Sequence, residues 1–253
     1  MRFTRYQKGS DEPRYGWIFE GKIGPLEGNP FSEFRRLDAE IALEEVKLCA
    51  PVIPGKIICV ARNYVDHALE MGSQVPAIPT LFLKPPSSVI GHGENIILPP
   101  QSKQVDHEAE LAVVIGKSGR WIQPGDASKY IIGYAAANDV TARDLQRSDG
   151  QWGRAKGFDT FCPLGPWIET ELSPEDILIT CRVNGEMRQM ASTRELVFTV
   201  PQMIAFASSV MTLNPGDVIL TGTPAGVGPL RHGDSVEVEI EGIGTLRNPV
   251  VKP

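Results

Sequence analysis

The sequence predicts a strand-rich α+β fold, with one main domain behind a small N-terminal β module. Three observations predict it. The 25 glycines and 21 prolines are spread along the whole chain and never form a low-complexity block, which suits many short strands joined by turns. Several segments of strand length are continuously apolar or alternate strictly. Few segments carry the start and stop signals of a helix.

Residues 1–50 read as the leader module. Within it Trp17-Ile18-Phe19, the turn Glu20-Gly21, and Lys22-Ile23 form a hairpin. Pro51 and Pro54-Gly55 mark the boundary with the main domain, residues 51–253. Lys56 to Ala61 is short and apolar, a buried strand. Asn63 to Gly72 predicts a helix of about two turns, with Asn63 as its cap, Asp66 in its first turn and Gly72 just past its end. Glu108 to Ile115 is a strand, and Asp126 caps a short helix through Tyr130. Ile131 to Ala137 is a small-residue strand ending at Asn138-Asp139, where Thr141-Ala142-Arg143-Asp144 resembles a capping box. Ile177 to Val183, Asn184-Gly185 and Glu186 to Met190 predict a hairpin with a type I′ turn. Thr199 caps a helix that ends near Leu213. Val218 to Leu220 is a short apolar strand, and Val236 to Glu241 alternates so that its valines and isoleucine face inward.

Composition excludes several functions. With 25 Lys and Arg against 31 Asp and Glu, the formal charge is −6, and no basic run is present. Nucleic acid and anionic membrane are therefore not expected partners. No apolar run approaches the roughly 20 residues of a membrane span. The first residues lack the apolar core of a signal peptide, so a cytoplasmic location is expected. Cys49, Cys59, Cys162 and Cys181 form no CxxC pair, which argues for free core thiols and against a zinc finger.

The chemistry begins at His107-Glu108-Ala109-Glu110. Residues two apart on a strand share a face, so Glu108 and Glu110 point the same way, with Ala112 and Val114 beyond them. Two carboxylates on a buried face repel and resist desolvation, and a hard divalent cation answers both problems. The plain alternative is an edge strand with solvated acids. Asp139, at a strand end, suits a third ligand or a helix cap. His67 and Glu70 are three apart on a helix and therefore neighbours; a carboxylate beside an imidazole orients it as a base, although a surface pair would look the same. Nothing local distinguishes Lys156 from a solvated lysine. Gly216 to Gly228 lacks the Gly-Lys-Ser/Thr ending of a phosphate loop, yet its backbone N–H groups and the Thr223 hydroxyl can still receive a carboxylate. No GxSxG elbow is present. His92 and His232 sit in glycine turns and read as structural.

Taken together, these pieces resemble the fumarylacetoacetate hydrolase family. The matching stretches are Ala61-Arg62-Asn63-Tyr64 with His67 and Glu70, Leu83-Lys84-Pro85, His107 to Leu111, Asn138 to Asp144 with Gln146, Lys156-Gly157-Phe158-Asp159, Gly216 to Gly228 and Glu241 to Leu246. They occur in the family's order from about 55 to 250, and the leader resembles that of bacterial members. The resemblance implies a mixed β-sandwich roll that forms a homodimer. It implies that Glu108, Glu110 and Asp139 hold Mg²⁺ or Mn²⁺, with Ca²⁺ a further candidate. His67 and Glu70 match the family's catalytic pair on a lid helix, with Lys156 beside them. Arg143, Gln146 and Thr223 match residues that hold the substrate's oxo-acid end. One departure is that Cys59-Val60-Ala61-Arg62 lacks the additional acidic ligand of the founding hydrolase, which places the chain among three-carboxylate members.

The implied reaction is metal-dependent cleavage of an acylpyruvate C–C bond through a pyruvate enolate, or isomerisation of a related 2-hydroxy-dienoate. Oxaloacetate decarboxylation or tautomerisation is the alternative. A non-catalytic oxo-acid binder is a third reading, but it has no need of His67 and Glu70.

Overall fold

The computed structural model describes residues 1–253. Its largest sheet has thirteen strands. Its main path runs Phe34–Arg36, Lys22–Gly28, Arg14–Phe19, Arg2–Gln7, Cys162–Glu169, Ile131–Asn138, Ala109–Ile115, Val218–Leu220, Ile57–Ala61 and Thr80–Lys84. Most neighbours are antiparallel, but Val218–Leu220 runs parallel to Ile57–Ala61. A five-stranded sheet runs Ile96–Ile97, Gly244–Val251, Ser235–Ile240, Leu178–Val183 and Glu186–Ser192.

The two faces of Ala109–Ile115 divide the interior. Ala109, Leu111, Val113 and Ile115 join Ile179, Cys181, Val236, Val238, Ile240 and Leu246 of the second sheet in a core of 32 buried residues. This is the sandwich. Met203, Ile204 and Ala207 close its side from the helix Val200–Val210. Ala112 and Val114 point the other way, into a core of 14 buried residues with Ile57, Cys59, Ala135, Ala137, Val218 and Leu220. Phe3 and Leu26 of the leader join that second core. The leader thus continues the large sheet: Phe3 pairs with Ile168.

Local predictions fare unevenly. Asn184 and Gly185 have φ of 54° and 82°, and the hairpin forms as a type I′ turn requires. Glu20 and Gly21 do the same at 46° and 75°. Thr199 and Gln202 make a full capping box, but that helix stops at Val210 because Leu213 bonds back to Gly119. Asp126 caps nothing; the 3₁₀ turn Pro124–Tyr130 starts after Gln123, and Asp126 pairs with Lys129. The box at Thr141 is absent too. Thr141 donates to the Asp139 carbonyl, and Asp144 instead accepts from Ser102 and from Lys103 N–H. Cys59, Cys162 and Cys181 are buried free thiols, whereas Cys49 is only half-buried. No helix is long and apolar enough to cross a membrane.

Candidate active site

Three segments meet at the end of the second core. The strand Ala109–Ile115 is paired with Ile131–Asn138 so that Ala109 faces Asn138 and Glu110 faces Ala137. That register sets Glu108 opposite Asp139, and Asp139 N–H donates to the Glu108 carbonyl at 2.8 Å. Glu108 itself lies between Val105–His107 and Ala109–Ile115 rather than within one strand. Its N–H donates to the Asn138 side chain at 2.9 Å, which interrupts the ladder there. Ala135 and Ala137, on the same face of the neighbouring strand, carry no bulk beside the carboxylates.

Glu108, Glu110 and Asp139 are all buried, and each offers an oxygen within 4.8 Å of the others. Burial among apolar strands makes three anions costly unless cations answer them. Lys156 Nζ donates to Glu108 Oε2 at 2.7 Å and to Asp139 Oδ2 at 2.6 Å. Lys84 Nζ donates to the other Asp139 oxygen at 2.6 Å. Arg143 donates to Asp106 Oδ2 at 2.8 Å and to Glu108 Oε1 at 2.5 Å. Four buried carboxylates, counting Asp106, thus face three cationic side chains. The one without a cation is Glu110, which accepts only the Gly222 N–H, at 2.6 Å.

The electrostatics follow that imbalance. Burial works against the Glu108 carboxylate, but Lys156 and Arg143 outweigh it and hold the group well below the usual carboxylate range. Burial pushes Glu110 well above that range, and the charges of Asp139 and Glu108 push it further. Burial opposes the Lys156 ammonium, yet Asp139 and Glu108 keep it charged. An all-oxygen donor set with one unneutralised carboxylate fits a hard divalent cation.

His67 and Glu70 lie on the helix Val65–Glu70, which Gly72 ends at φ +64°. His67 Nδ1 is 3.3 Å from Glu70 Oε2, and Gly226 N–H donates to both Glu70 oxygens at 3.1 and 3.2 Å. Asn63 does not cap this helix. Its buried amide donates to the Phe198 and Thr221 carbonyls and accepts from Phe198 N–H, tying the helix base to the glycine-rich loop. A cavity of about 260 Å³ joins these parts. His67, Glu108, Glu110, Asp139, Arg143, Gln146, Lys156 and Thr223 all line it; Glu70 reaches it through His67.

Lys156 is therefore not the solvated lysine its local sequence suggests. Gln146 accepts from Arg143 at 2.7 Å, which leaves its amide N–H groups unspent. Much of Arg143 is committed to Asp106 and Glu108, so it also braces the carboxylate cluster. Sequence reading gave no role to Lys84, Asp106, Asn138 or Gln189, although Lys84 and Asn138 lie in stretches that carry the family resemblance. For Asp106 a signal existed, since Asp106, Glu108 and Glu110 repeat at period two. For Lys84 no such spacing existed. Arg62 and Arg147 line the same cavity without a carboxylate partner, beside Phe82 and Trp152. Cys181 Sγ sits 3.5 Å from His107 Nδ1, but burial pushes this thiol up to about 12 and holds the imidazole down, so the pair is not a nucleophile.

A β-sandwich roll with a carboxylate-lined cavity and an adjoining imidazole–carboxylate pair defines a class of metal-site enzymes. Residues 56–251 match the family described as fumarylacetoacetate (FAA) hydrolase, C-terminal, and residues 1–51 match the Rv2993c-like N-terminal family. The chain belongs to the fumarylacetoacetate hydrolase family, whose members are enzymes. It is 47% identical over 232 residues to the mitochondrial oxaloacetate tautomerase Fahd2a of Rattus norvegicus, covering 86% of this chain and 74% of that protein. It superposes on the 5-carboxymethyl-2-hydroxymuconate delta-isomerase of Mycobacterium smegmatis with a TM-score of 0.92 at 43% identity, covering both chains fully. The maleylpyruvate hydrolase of Sphingobium sp. SYK-6, solved with manganese (II) and pyruvate, matches with a TM-score of 0.81 at 34% identity, over 100% of this chain and 99% of that one.

Proposed function

We propose that the protein is a divalent-metal-dependent enzyme acting on 2-oxo or 2,4-dioxo acids, cleaving an acylpyruvate C–C bond or isomerising a related 2-hydroxy-dienoate. The single observation carrying this reading is that His67 and the carboxylates Glu108, Glu110 and Asp139 line one cavity, with Glu70 behind the imidazole. Those three carboxylates would hold Mg²⁺ or Mn²⁺. When bound, the ion supplies Lewis acidity toward the keto and carboxylate oxygens of the substrate. Lys156 adds positive charge where negative charge develops on the breaking of a bond to C3. His67, oriented by Glu70, takes the proton of an attacking water or of the substrate carbon. Thr223 and Gln146 donate to the oxo-acid carboxylate, with Arg143 beside them. Residues 51–253 would be the catalytic domain, with 1–50 as an accessory module and a cytoplasmic homodimer as the assembly.

The second reading is oxaloacetate tautomerisation or decarboxylation, in which no water attacks. Arg62 and Arg147 suit it, because two unpaired guanidinium groups can receive a distal carboxylate, which oxaloacetate and fumarylpyruvate both carry. The relatives named above support both readings. A turnover panel of acetylpyruvate, fumarylpyruvate and oxaloacetate with Mg²⁺, Mn²⁺ or EDTA tests them, following enol absorbance, pyruvate and CO₂. Metal-dependent pyruvate release from an acylpyruvate without CO₂ supports hydrolysis. Enol–keto exchange or CO₂ release with oxaloacetate alone moves the assignment to the second reading. Silence across the panel with metal bound would leave an untested dienoate or a non-catalytic binder.

A further inference from the structure

The strand Glu186–Ser192 is the edge of the five-stranded sheet, and most of its side chains face water. Gln189 is the exception among its polar residues of middle register, being only 1% exposed. Its amide makes four hydrogen bonds. Oε1 accepts from Ala109 N–H at 3.0 Å and lies 3.1 Å from His107 Nδ1. Nε2 donates to Thr223 Oγ1 at 2.7 Å and to the Pro224 carbonyl at 2.8 Å.

The amide cannot be turned round. Ala109 N–H is a donor and needs an oxygen, and the Pro224 carbonyl is an acceptor and needs an N–H. Oε1 accepts only, so His107 must carry its proton on Nδ1. Thr223 Oγ1 must likewise accept from Nε2. Its own proton is then free, and Thr223 lines the cavity that holds Glu108, Glu110 and Asp139. The loop has no slack to rearrange. Gly226 has φ +97°, and a Cβ there would lie 2.0 Å from the Arg188 carbonyl of the same strand.

We propose that Gln189 is a positioning residue that sets the polarity of Thr223, presenting its hydroxyl to the cavity as a donor for a substrate carboxylate. Gln189 touches no substrate itself. It joins Ala109, which lies between Glu108 and Glu110, to the loop whose Gly222 and Gly226 N–H groups hold Glu110 and Glu70. The inference rests on the oxo-acid reading above.

The test uses oxalate, a planar two-oxygen mimic of pyruvate enolate, with Mn²⁺ and the full chain. Calorimetry measures Mn²⁺ binding first and oxalate binding to the Mn²⁺-loaded protein second. Gln189→Glu keeps the shape and the two acceptor contacts but turns the Thr223 proton inward. It should weaken oxalate roughly 10- to 100-fold, the effect of losing one hydrogen bond to a charged group, while Mn²⁺ affinity stays within about twofold. Thr223→Val should weaken oxalate similarly, and the double variant should be no worse than either single one. With turnover, KM should rise while kcat changes little. Additive losses, or undiminished oxalate binding in Gln189→Glu, would overturn the assignment. Failure of the wild-type protein to bind oxalate would instead overturn the oxo-acid reading and the assignment with it. A measurement on the wild-type fold guards against a variant that does not fold. With diamagnetic Mg²⁺ in place of Mn²⁺, the Gln189 side-chain amide resonances should shift when oxalate binds and should not shift in Thr223→Val; unmoved wild-type resonances would also sink the proposal.

Discussion

Lys84 Nζ lies 2.6 Å from Asp139 Oδ1, with both side chains fully buried. The same carboxylate is held on its other oxygen by Lys156. Asp139 therefore sits between two ammonium groups that come from a strand and a helix far apart in the chain. Breaking a buried pair by removing one partner costs about 3–5 kcal/mol when the remaining charge is left uncompensated; Lys156 still faces Asp139, so the loss here should be smaller. Lys84→Met should lower the melting temperature measured without metal. A cation that binds only the folded state offsets part of that loss. The Mn²⁺-induced rise in melting temperature should be larger in Lys84→Met than in the wild type. An equal or smaller rise would mean that the Asp139 charge is not felt at the ion site.

Glu110 behaves in the opposite sense. Its carboxyl is raised well above its ordinary value of 4.5 by burial and by Asp139 and Glu108. A carboxyl raised in the folded state stabilises the fold below the unfolded value, and that stability is lost as pH rises toward the folded one. Metal-free protein should therefore lose stability as pH climbs from about 4.5, and Glu110→Gln should flatten that slope. The variant should be more stable than the wild type at pH 8 in EDTA, yet gain nothing from Mn²⁺. Thermal melts across pH, with and without metal, check both halves. A Glu110→Gln protein that melts lower in EDTA would contradict the charge balance.

Glu108 makes a poor first target for the metal assignment. Its removal leaves Arg143 and Lys156 facing each other without the anion between them. Glu108→Ala should abolish Mn²⁺ binding but also lower stability, on the order of 3–5 kcal/mol. Lost binding without lost stability would show that Asp106 and Asp139 suffice to hold Arg143 and Lys156.

For the base, His67→Ala should reduce turnover by roughly 10²- to 10⁴-fold, the usual contribution of a positioned general base. Mn²⁺ and oxalate affinity should be spared. Glu70→Gln should fall in the same direction but less, since it keeps an acceptor for the Gly226 N–H. Full turnover in His67→Ala would remove the imidazole from the reaction.

Arg62 and Arg147 give a test of substrate class. If they read a distal carboxylate, Arg62→Met and Arg147→Met should raise KM for oxaloacetate and fumarylpyruvate by about 10-fold, the scale of one charge-assisted hydrogen bond at a partly open site. Acetylpyruvate, which has a methyl group there, should be unaffected. A matching loss for all three substrates would place the arginines at the oxo-acid end or make them structural.

Much of this was legible in the chain. Hairpin turns at Glu20-Gly21 and Asn184-Gly185 were, because positive φ is a local property that few residues tolerate. So was the shared face of Glu108 and Glu110, because a strand has period two. The caps at Asp126 and Thr141 were misread. Both residues have cap chemistry, but Asp126 finds Lys129 and Thr141 finds a backbone carbonyl, and the sequence does not rank such competitors. Asn63 was misread for the same reason: three distant backbone groups outcompete the helix end.

By itself the sequence determined the strand-rich class, the period-two acids, the i,i+3 pairing of His67 with Glu70 and, through its ordered motifs, the family. These depend on neighbours within a few residues or on the order of motifs. The tertiary structure alone decided which carboxylate lacks a cation, what Lys84, Arg143 and Lys156 neutralise, and how Gln189 orients Thr223. Those contacts join residues 34 to 55 positions apart: Lys84 to Asp139, Glu108 to Lys156, Gln189 to Thr223. Charge and hydrogen-bond energies depend on distance through space and on exclusion of water, and only the sheet register and the packing of the glycine loop supply those.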